Sequence, residues 1–159
     1  MEESSKFHTV RGYQRLEKAD KVLTSAMEDY LEMIYRYSLQ DGYIRVSTLS
    51  ELLNVAAPSV TKMVQNLSRA GLVDYRRYEF ITLTDKGREI GTFLLWRHTV
   101  LETFLKNLGV KEEVLADTEL IEHDISDATL QKINALNQFL NGNPKVLKDY
   151  ESFAQKPIE

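Results

Sequence analysis

The chain has 159 residues, of which 43% are hydrophobic and 28% are charged, a composition typical of a folded globular protein and not of a disordered one. It contains no cysteine, which excludes disulfides, thiolate metal sites and cysteine nucleophiles and fits a reducing compartment. The net charge of -4 argues against a uniformly basic nucleic-acid binder, and the absence of a membrane-length apolar run or a signal-peptide core predicts a cytoplasmic protein.

Residues 1–24 are polar, mixed in charge and weakly periodic, which predicts a mobile arm or a short helix of unknown role. From Ser25 the apolar residues recur at helical spacing. We expect this first helix to be capped by Thr24 or Ser25 and to end at the Asp-Gly pair of residues 41 and 42. Asp29 and Glu32 lie three residues apart on it, which by itself indicates an ordinary solvated face.

Residues 43–70 contain two short helices joined by a tight turn. A brief strand at 43–45 precedes a helix that we expect Ser47 to cap, and Pro58 stands near a helix start, where proline is well tolerated. The inward faces are apolar, with Leu49, Leu52 and Leu53 in the first helix and Val60, Met63, Val64 and Leu67 in the second. The pattern predicts a helix-turn-helix.

Two short alternating segments, LVDYR and FITLT, follow Gly71 and are separated by residues 77–79. Glycine favours the end of the preceding helix, and the alternation predicts a β-hairpin. A helix-turn-helix followed by a basic hairpin is the pattern of a winged helix.

The outer face of the second helix and the hairpin suit nucleic acid. Residues 59–77 include four basic residues and one acidic residue. Lysine and arginine can neutralise phosphates, whereas serine, glutamine and asparagine can read base edges in the major groove. We therefore predict DNA contacts by Ser59, Thr61, Lys62, Gln65, Asn66, Arg69, Arg76 and Arg77. The alternative is a helical hairpin packed on a small sheet that binds no nucleic acid.

The sequence TDKG at residues 84–87 predicts the start of a long helix that ends near residues 107–109. Its wide apolar stripe is a candidate dimer surface and consists of Ile90, Phe93, Leu94, Leu101, Phe104, Leu105 and Leu108. His98 lies at the edge of this stripe, with Glu102 one turn beyond it. A single histidine in such a place is usually a core or boundary residue.

An acidic stretch, DTELIEHDIS at residues 117–126, follows the long helix. If this stretch is helical, Glu119, Glu122 and His123 project from one face at i, i+3 and i+4, within reach of one cation. The alternative for such an isolated motif is a solvated acidic face. A further amphipathic helix then carries Leu130, Ile133, Leu136, Asn137 and Leu140 and ends at NGNP, and the tail from residue 145 predicts one more short helix.

Five segments together carry a family resemblance: SAMEDYLEMIY, SVTKMVQNL, LTDKGREIG, WRHTVLETFL and ELIEHDIS. In type, order and spacing they resemble the manganese-sensing repressors of the diphtheria toxin repressor family, over roughly residues 25–140. The resemblance implies a mostly helical protein, with a winged helix-turn-helix at residues 25–84 and an all-helical metal-binding and dimerisation domain at 85–159. It also implies a homodimer that binds a palindromic operator when Mn²⁺ occupies the junction of the two domains.

The resemblance also implies a set of six metal ligands: Asp29, Glu32, His98, Glu119, Glu122 and His123. In the iron-sensing relatives a methionine and a cysteine stand at the places of Asp29 and Glu119, so the all-oxygen and nitrogen set here favours Mn²⁺, with Fe²⁺ and other divalent ions as further possibilities. Four carboxylates and two imidazoles suffice for two Mn²⁺ ions per subunit, bridged by a carboxylate.

Two other functions fit parts of the pattern. A winged-helix regulator whose helical half binds an organic ligand would respond to a small molecule and be indifferent to chelators. A dinuclear metal hydrolase would use the same carboxylates and histidines to activate water, but it would leave the basic helix unexplained.

Overall fold

The computed structural model of the chain describes residues 23–75 and 80–155. Within these ranges the elements are α1 (Ser25–Asp41), β1 (Ile44–Arg45), α2 (Val46–Leu53), α3 (Ala57–Arg69), β2 (Val73–Tyr75), β3 (Phe80–Leu83), α4 (Asp85–Asn107), α5 (Val114–Ile121), α6 (Asp127–Gly142) and α7 (Pro144–Ala154). The predicted fold class, mostly helical with a small sheet, is confirmed. The predicted arm up to residue 22 and the hairpin tip with Arg76 and Arg77 lie outside the described residues.

The chain forms two compact units, Met1–Leu95 and Trp96–Glu159. The boundary between them falls inside α4, eleven residues beyond the predicted domain boundary at residue 84. None of the helices in the described ranges is long and apolar enough to cross a lipid bilayer.

The first helix begins and ends at the predicted signals. The Thr24 side chain accepts a hydrogen bond from the Met27 N–H (3.3 Å), and the chain reverses at Gly42, whose φ of 76° is a left-handed conformation that glycine adopts without strain. Leu31 and Ile34 are fully buried. Local hydrogen bonding at both ends therefore fixes the length of α1, and its apolar stripe fixes which face is buried.

The start of α2 differs from the prediction that Ser47 would cap it. The capping position belongs to Arg45, which pairs with Phe80 in the sheet, so the chain passes directly from strand into helix and Ser47 lies in the first turn. The prediction that Leu52 faces inward is also wrong, because Leu52 lies in the last turn of this short helix and is exposed, whereas Leu49 is fully buried.

The second helix of the pair, α3, starts with Pro58 in its first turn, as predicted. Val60, Val64 and Leu67 have no exposed surface, and Met63 is half-buried. The three strands form an antiparallel sheet in the order β1-β3-β2, with Ile44 opposite Ile81 and Val73 opposite Leu83. The predicted helix-turn-helix and the strands of its wing are confirmed within the described residues.

The start of α4 is attached closely to the sheet. The Thr84 hydroxyl accepts a hydrogen bond from the Gly87 N–H (3.0 Å), which is the predicted cap. The Leu72 carbonyl accepts from the Thr84 N–H (3.1 Å) and lies where a side chain on Gly87 would begin, 1.8 Å from an ideal Cβ. One turn later, a Cβ on Gly91 would overlap the Tyr35 side chain of α1, so a glycine is needed here as well. These glycines allow α4 to approach Leu72, the residue before β2, and Tyr35 of α1.

In the second unit, buried amides join α4 to α6. Asn137 donates a hydrogen bond to the Val100 carbonyl (2.8 Å) and accepts one from the Asn107 side chain (3.1 Å). Leu101 on α4 and Leu130 on α6 are buried apolar residues of this unit. The amphipathic pattern predicted both helices, and the apolar residues of the two stripes are not all buried, since Leu136 is 42% exposed and Leu108 is 38% exposed.

The acidic helix is shorter than predicted. It ends at Ile121, and residues 122–124 form a turn before Ser126 caps α6 by accepting a hydrogen bond from the Thr129 N–H (3.3 Å). Because Ser126 caps the next helix, residues 117–126 do not form one continuous helix. Glu122 keeps a helical backbone (φ -66°, ψ -28°), and its N–H donates to the Thr118 carbonyl (3.0 Å).

Candidate metal-binding and DNA-binding residues

In the second unit, the Glu122 carboxylate lies beside two imidazoles. One of its oxygens, Oε2, is 2.9 Å from His98 Nδ1, and the other, Oε1, is 3.9 Å from His123 Nε2. Glu122 is 2% exposed and His98 is 6% exposed. The structure thus brings His98 together with two predicted ligands, Glu122 and His123, that lie at least 24 residues away from it in the sequence.

Helix ends and helix packing position these groups. His98 is carried by α4, and Glu122 is the first residue beyond α5. The last turn of α5 is fixed by buried Thr118, whose hydroxyl donates to the Val114 carbonyl (2.7 Å) and whose own carbonyl accepts from the Glu122 N–H. The carboxylate of Glu122 is thereby held at a defined position against α4.

The donor set of this cluster fits a hard or borderline divalent ion. A carboxylate with almost no exposed surface is costly to bury unless cations or hydrogen-bond donors compensate for its lost hydration. Because a carboxylate accepts and does not donate, His98 Nδ1 carries the proton in the contact with Glu122, and the lone pair of neutral His98 is on Nε2, the nitrogen suited to a metal. Oxygen and imidazole donors without sulfur suit Mn²⁺ among other first-row ions.

Glu119 occupies a different environment. It lies exposed on the last turn of α5, whereas Glu122 is buried. The expectation that both carboxylates and His123 would project from one regular helical face is not met, because the helix ends at Ile121 before it reaches the second carboxylate and the imidazole.

Two further predicted ligands lie on α1 in the first unit. Glu32 is buried, and its carboxylate accepts a hydrogen bond from the Arg36 guanidinium at 2.5 Å. Asp29 is exposed, one turn before it on the same side of the helix. The sequence pattern by itself indicated a solvated face at these two residues. The burial of Glu32 was therefore not expected from that pattern.

Sequence reasoning missed two arginines that contact predicted ligands. The first is Arg36, which a search for i, i+4 ion pairs starting from Glu32 would have found. The second is Arg97, which is 6% exposed and whose guanidinium lies 3.4 Å from His123 Nδ1. The second could have been noticed from its position, because Arg97 is a charged residue directly before a histidine within an apolar helical stripe.

The polar face of α3 is accessible. Ser59, Lys62, Gln65 and Arg69 are exposed, and Thr61 and Asn66 are half-buried. Arg69 donates a hydrogen bond to Asn66 Oδ1 (3.0 Å), which orders two neighbouring polar groups on this face. Six of the eight predicted DNA-contacting residues therefore lie on one helix with their side chains at least partly in solvent.

Both parts of the chain match known protein families. Residues 22–80 match the iron dependent repressor N-terminal DNA-binding domain, and residues 84–151 match the iron dependent repressor metal-binding and dimerisation domain.

Individual proteins give a consistent result. The HTH-type transcriptional regulator MntR of Lysinibacillus sphaericus (strain C3-41) is 43% identical over 130 residues, 81% of this chain and 94% of the relative. MntR of Bacillus subtilis (strain 168) is 42% identical over 134 residues, 84% of this chain and 94% of the relative.

Among solved structures, the manganese regulator SloR aligns with a TM-score of 0.61 and 32% identity, over 72% of this chain and 53% of that chain. A manganese-dependent transcriptional repressor in complex with manganese aligns with a TM-score of 0.60 and 32% identity, over 70% of this chain and 52% of that chain. The chain therefore spans about half the length of these two solved proteins.

Proposed function

We propose a specific function for this chain, which belongs to the iron-dependent (diphtheria toxin) repressor family. It is a metal-dependent transcriptional regulator of the MntR type, with a DNA-binding domain and a metal-binding and dimerisation domain. It is not an enzyme, so the hydrolase alternative is wrong. Within this family, we propose that the chain represses manganese uptake genes when Mn²⁺ is abundant, and that it acts in the cytoplasm, where its DNA target is found.

The observation that carries the metal assignment is the buried Glu122 carboxylate between His98 and His123. A divalent cation would supply the positive charge that such a group requires, and oxygen and nitrogen donors suit manganese. The names of two solved relatives support the same ion, since SloR is a manganese regulator and the other is a manganese-dependent transcriptional repressor in complex with manganese.

The proposed ligand set adds three carboxylates to this cluster. It comprises Asp29, Glu32, His98, Glu119, Glu122 and His123, and it would hold two Mn²⁺ ions per subunit as the family resemblance implies. Support from the first unit is that Glu32 is buried although it is charged, with Arg36 as its cationic partner. Asp29 and Glu119 are exposed, and the family resemblance is the support for including them in the ligand set.

The proposed switch is electrostatic. Four carboxylates that converge repel one another, which favours a loose arrangement of the DNA-binding domain relative to the dimerisation domain. A bound divalent ion reverses the sign of this interaction. In a dimer, tying each winged helix to the dimer core would narrow the range of distances between the two α3 helices, so that more molecules match half-sites about one helical turn apart.

The second unit supports association with a second copy of the chain. It exposes several large apolar side chains, which are Leu108, Leu115, Leu120, Ile121, Leu136, Phe139, Val146 and Phe153. Apolar surface of this extent on a small helical unit is typical of a protein interface. Because the matched family domain is a dimerisation domain, we propose that a second copy covers these side chains.

Mn²⁺ and operator DNA are expected to strengthen each other's binding. Coupling between two sites is reciprocal, and its usual size is about 1 to 3 kcal/mol, or roughly 5- to 150-fold in affinity. Titrating the protein with Mn²⁺ by calorimetry, with and without a palindromic operator fragment, measures this coupling. Fluorescence anisotropy of the same DNA in Mn²⁺ and in chelator provides the reverse measurement. Equal Mn²⁺ affinity in the two titrations would exclude the proposed switch.

Lys62→Ala is expected to weaken DNA binding to all sequences alike. Its exposed ammonium suits a phosphate contact, so the slope of log K against log salt should become shallower by about 0.9 per lost contact, or about twice that in a dimer. Gln65→Ala, on the same exposed face, is the matched comparison: it should keep the slope and relax base preference by about 1 to 3 kcal/mol. An unchanged slope in Lys62→Ala would mean that another surface meets the phosphates.

A further inference from the structure

Four polar groups of the second unit form a continuous row. The Arg97 guanidinium lies 3.4 Å from Nδ1 of His123, and His123 Nε2 faces Glu122 Oε1 at 3.9 Å. The other oxygen of Glu122 contacts His98 Nδ1 at 2.9 Å. Arg97, His98 and Glu122 are buried, and His123 is half-buried. Each imidazole therefore has a defined neighbour, and the neighbours of the two imidazoles differ.

The chemistry of these neighbours assigns the proton on His123. Arginine has only N–H donors and stays protonated, so in the contact with Arg97 the Nδ1 atom of His123 must be the acceptor. The proton of the neutral ring is then on Nε2, the nitrogen that faces the negative Glu122 carboxylate. The cation on one side of the ring and the anion on the other favour the same tautomer.

A neutral imidazole has one lone pair in the ring plane, and Arg97 occupies it in His123. A metal ion uses the same lone pair. Binding through Nδ1 would displace the guanidinium directly, and binding through Nε2 would move the proton to Nδ1, where it would meet the N–H of Arg97. In either case the contact between Arg97 and His123 and a metal bond to neutral His123 exclude each other.

The contact between His98 and Glu122 creates no such conflict. The contact of His98 with Glu122 places its proton on Nδ1 and its lone pair on Nε2, which is already the tautomer for metal binding. The Glu122 carboxylate has two oxygens and about four acceptor positions, so it can keep a hydrogen bond while binding a metal.

We propose that Arg97 is a positioning residue that competes with the metal ion for His123 and so sets the metal concentration at which the regulator responds. This inference rests on the proposed function, since it takes His123 to be a ligand. In the metal-free protein Arg97 holds the His123 ring in the tautomer that cannot bind metal through Nε2. Metal binding must release this contact. The apparent affinity is therefore the intrinsic affinity multiplied by the fraction of molecules in which the contact is open.

Arg97→Met tests the proposal, because methionine fills a buried site of similar length without charge or N–H donors. Loss of one contact to a charged donor should tighten Mn²⁺ binding by about tenfold in calorimetric titration. Structural damage would weaken binding, so a gain excludes it. Because the substitution also removes a positive charge, the ring spectra of His123 are needed to separate competition from the loss of charge. The matched control is Lys106→Gln, which removes one exposed positive charge from the same helix and should leave the affinity unchanged. Unchanged or weaker Mn²⁺ binding in Arg97→Met would overturn the proposal.

A second measurement uses the wild-type protein without metal and is independent of the folding of any variant. Nitrogen-proton correlation spectra of the His123 ring are expected to show a proton on Nε2 and none on Nδ1. A proton on Nδ1 would overturn the inference. If wild-type protein binds no Mn²⁺, the proposed function fails and this inference with it, whereas normal wild-type binding without a gain in Arg97→Met overturns only the inference.

Discussion

Glu122→Gln is expected to abolish Mn²⁺-dependent DNA binding while leaving the metal-free fold intact. The substitution keeps the shape of a side chain that is 2% exposed and keeps an oxygen that accepts the hydrogen bond from His98 Nδ1 (2.9 Å). It removes the negative charge that we propose binds the cation. Because replacing even a hydrogen-bonding partner of a metal ligand costs about 10- to 100-fold in affinity, replacing this ligand should cost more than about 100-fold.

Three measurements are needed for Glu122→Gln. Calorimetry gives the Mn²⁺ affinity, anisotropy with an operator fragment gives the metal dependence of DNA binding, and thermal unfolding in chelator gives the stability of the metal-free protein. The stability of the metal-free protein should change by no more than about 1 kcal/mol, because a neutral amide costs less to bury than a carboxylate. Glu112→Gln removes an exposed carboxylate just before α5 and should behave as wild type. Retained Mn²⁺ dependence in Glu122→Gln would remove Glu122 from the site.

Gly87→Ala is expected to destabilise the folded protein strongly. A Cβ at Gly87 would lie 1.8 Å from the Leu72 carbonyl oxygen, which also accepts the Thr84 N–H that begins α4. Backbone cannot rotate away as a flexible side chain can, so α4 or β2 must shift. We expect a loss of about 3 kcal/mol or more in the free energy of unfolding, measured by chemical denaturation.

A second glycine provides the control for Gly87→Ala. Gly142 ends α6, and a Cβ added there meets no atom within 4 Å among the described residues. Gly142→Ala should therefore be neutral or should stabilise the protein by up to about 1 kcal/mol, because alanine restricts the unfolded chain more than glycine does. If the free energy of unfolding of Gly87→Ala lies within about 0.5 kcal/mol of the wild-type value, the close approach of α4 to Leu72 is not a property of the folded protein.

The helix boundaries that could be predicted depend on residues close together in the sequence. Thr24 and Gly42 define α1, and Thr84 begins α4, because caps and left-handed glycines act within about four residues. The prediction failed at the start of α2 and at the end of α5. In the first case strand pairing of Arg45 decided the boundary, and in the second a competing cap at Ser126 did.

The chemical character of the site could also be predicted. Absence of cysteine and the presence of carboxylates and histidines restrict any metal to oxygen and nitrogen donors, and the order of motifs indicated the family before any geometry was known. What remained open was which carboxylates are buried. Glu119 and Glu122 are equivalent in type and lie one helical turn apart, yet one is exposed and the other is nearly inaccessible.

The amino-acid sequence was sufficient for the fold class, most helix starts and the family, because these depend on local hydrogen bonding and on the periodicity of apolar residues. The contact of Glu122 with His98, 24 residues away, and that of Arg97 with His123, 26 residues away, became visible only in the folded chain. Such contacts depend on how two helices pack, and packing is set by the shape of the whole core rather than by any neighbouring stretch of chain.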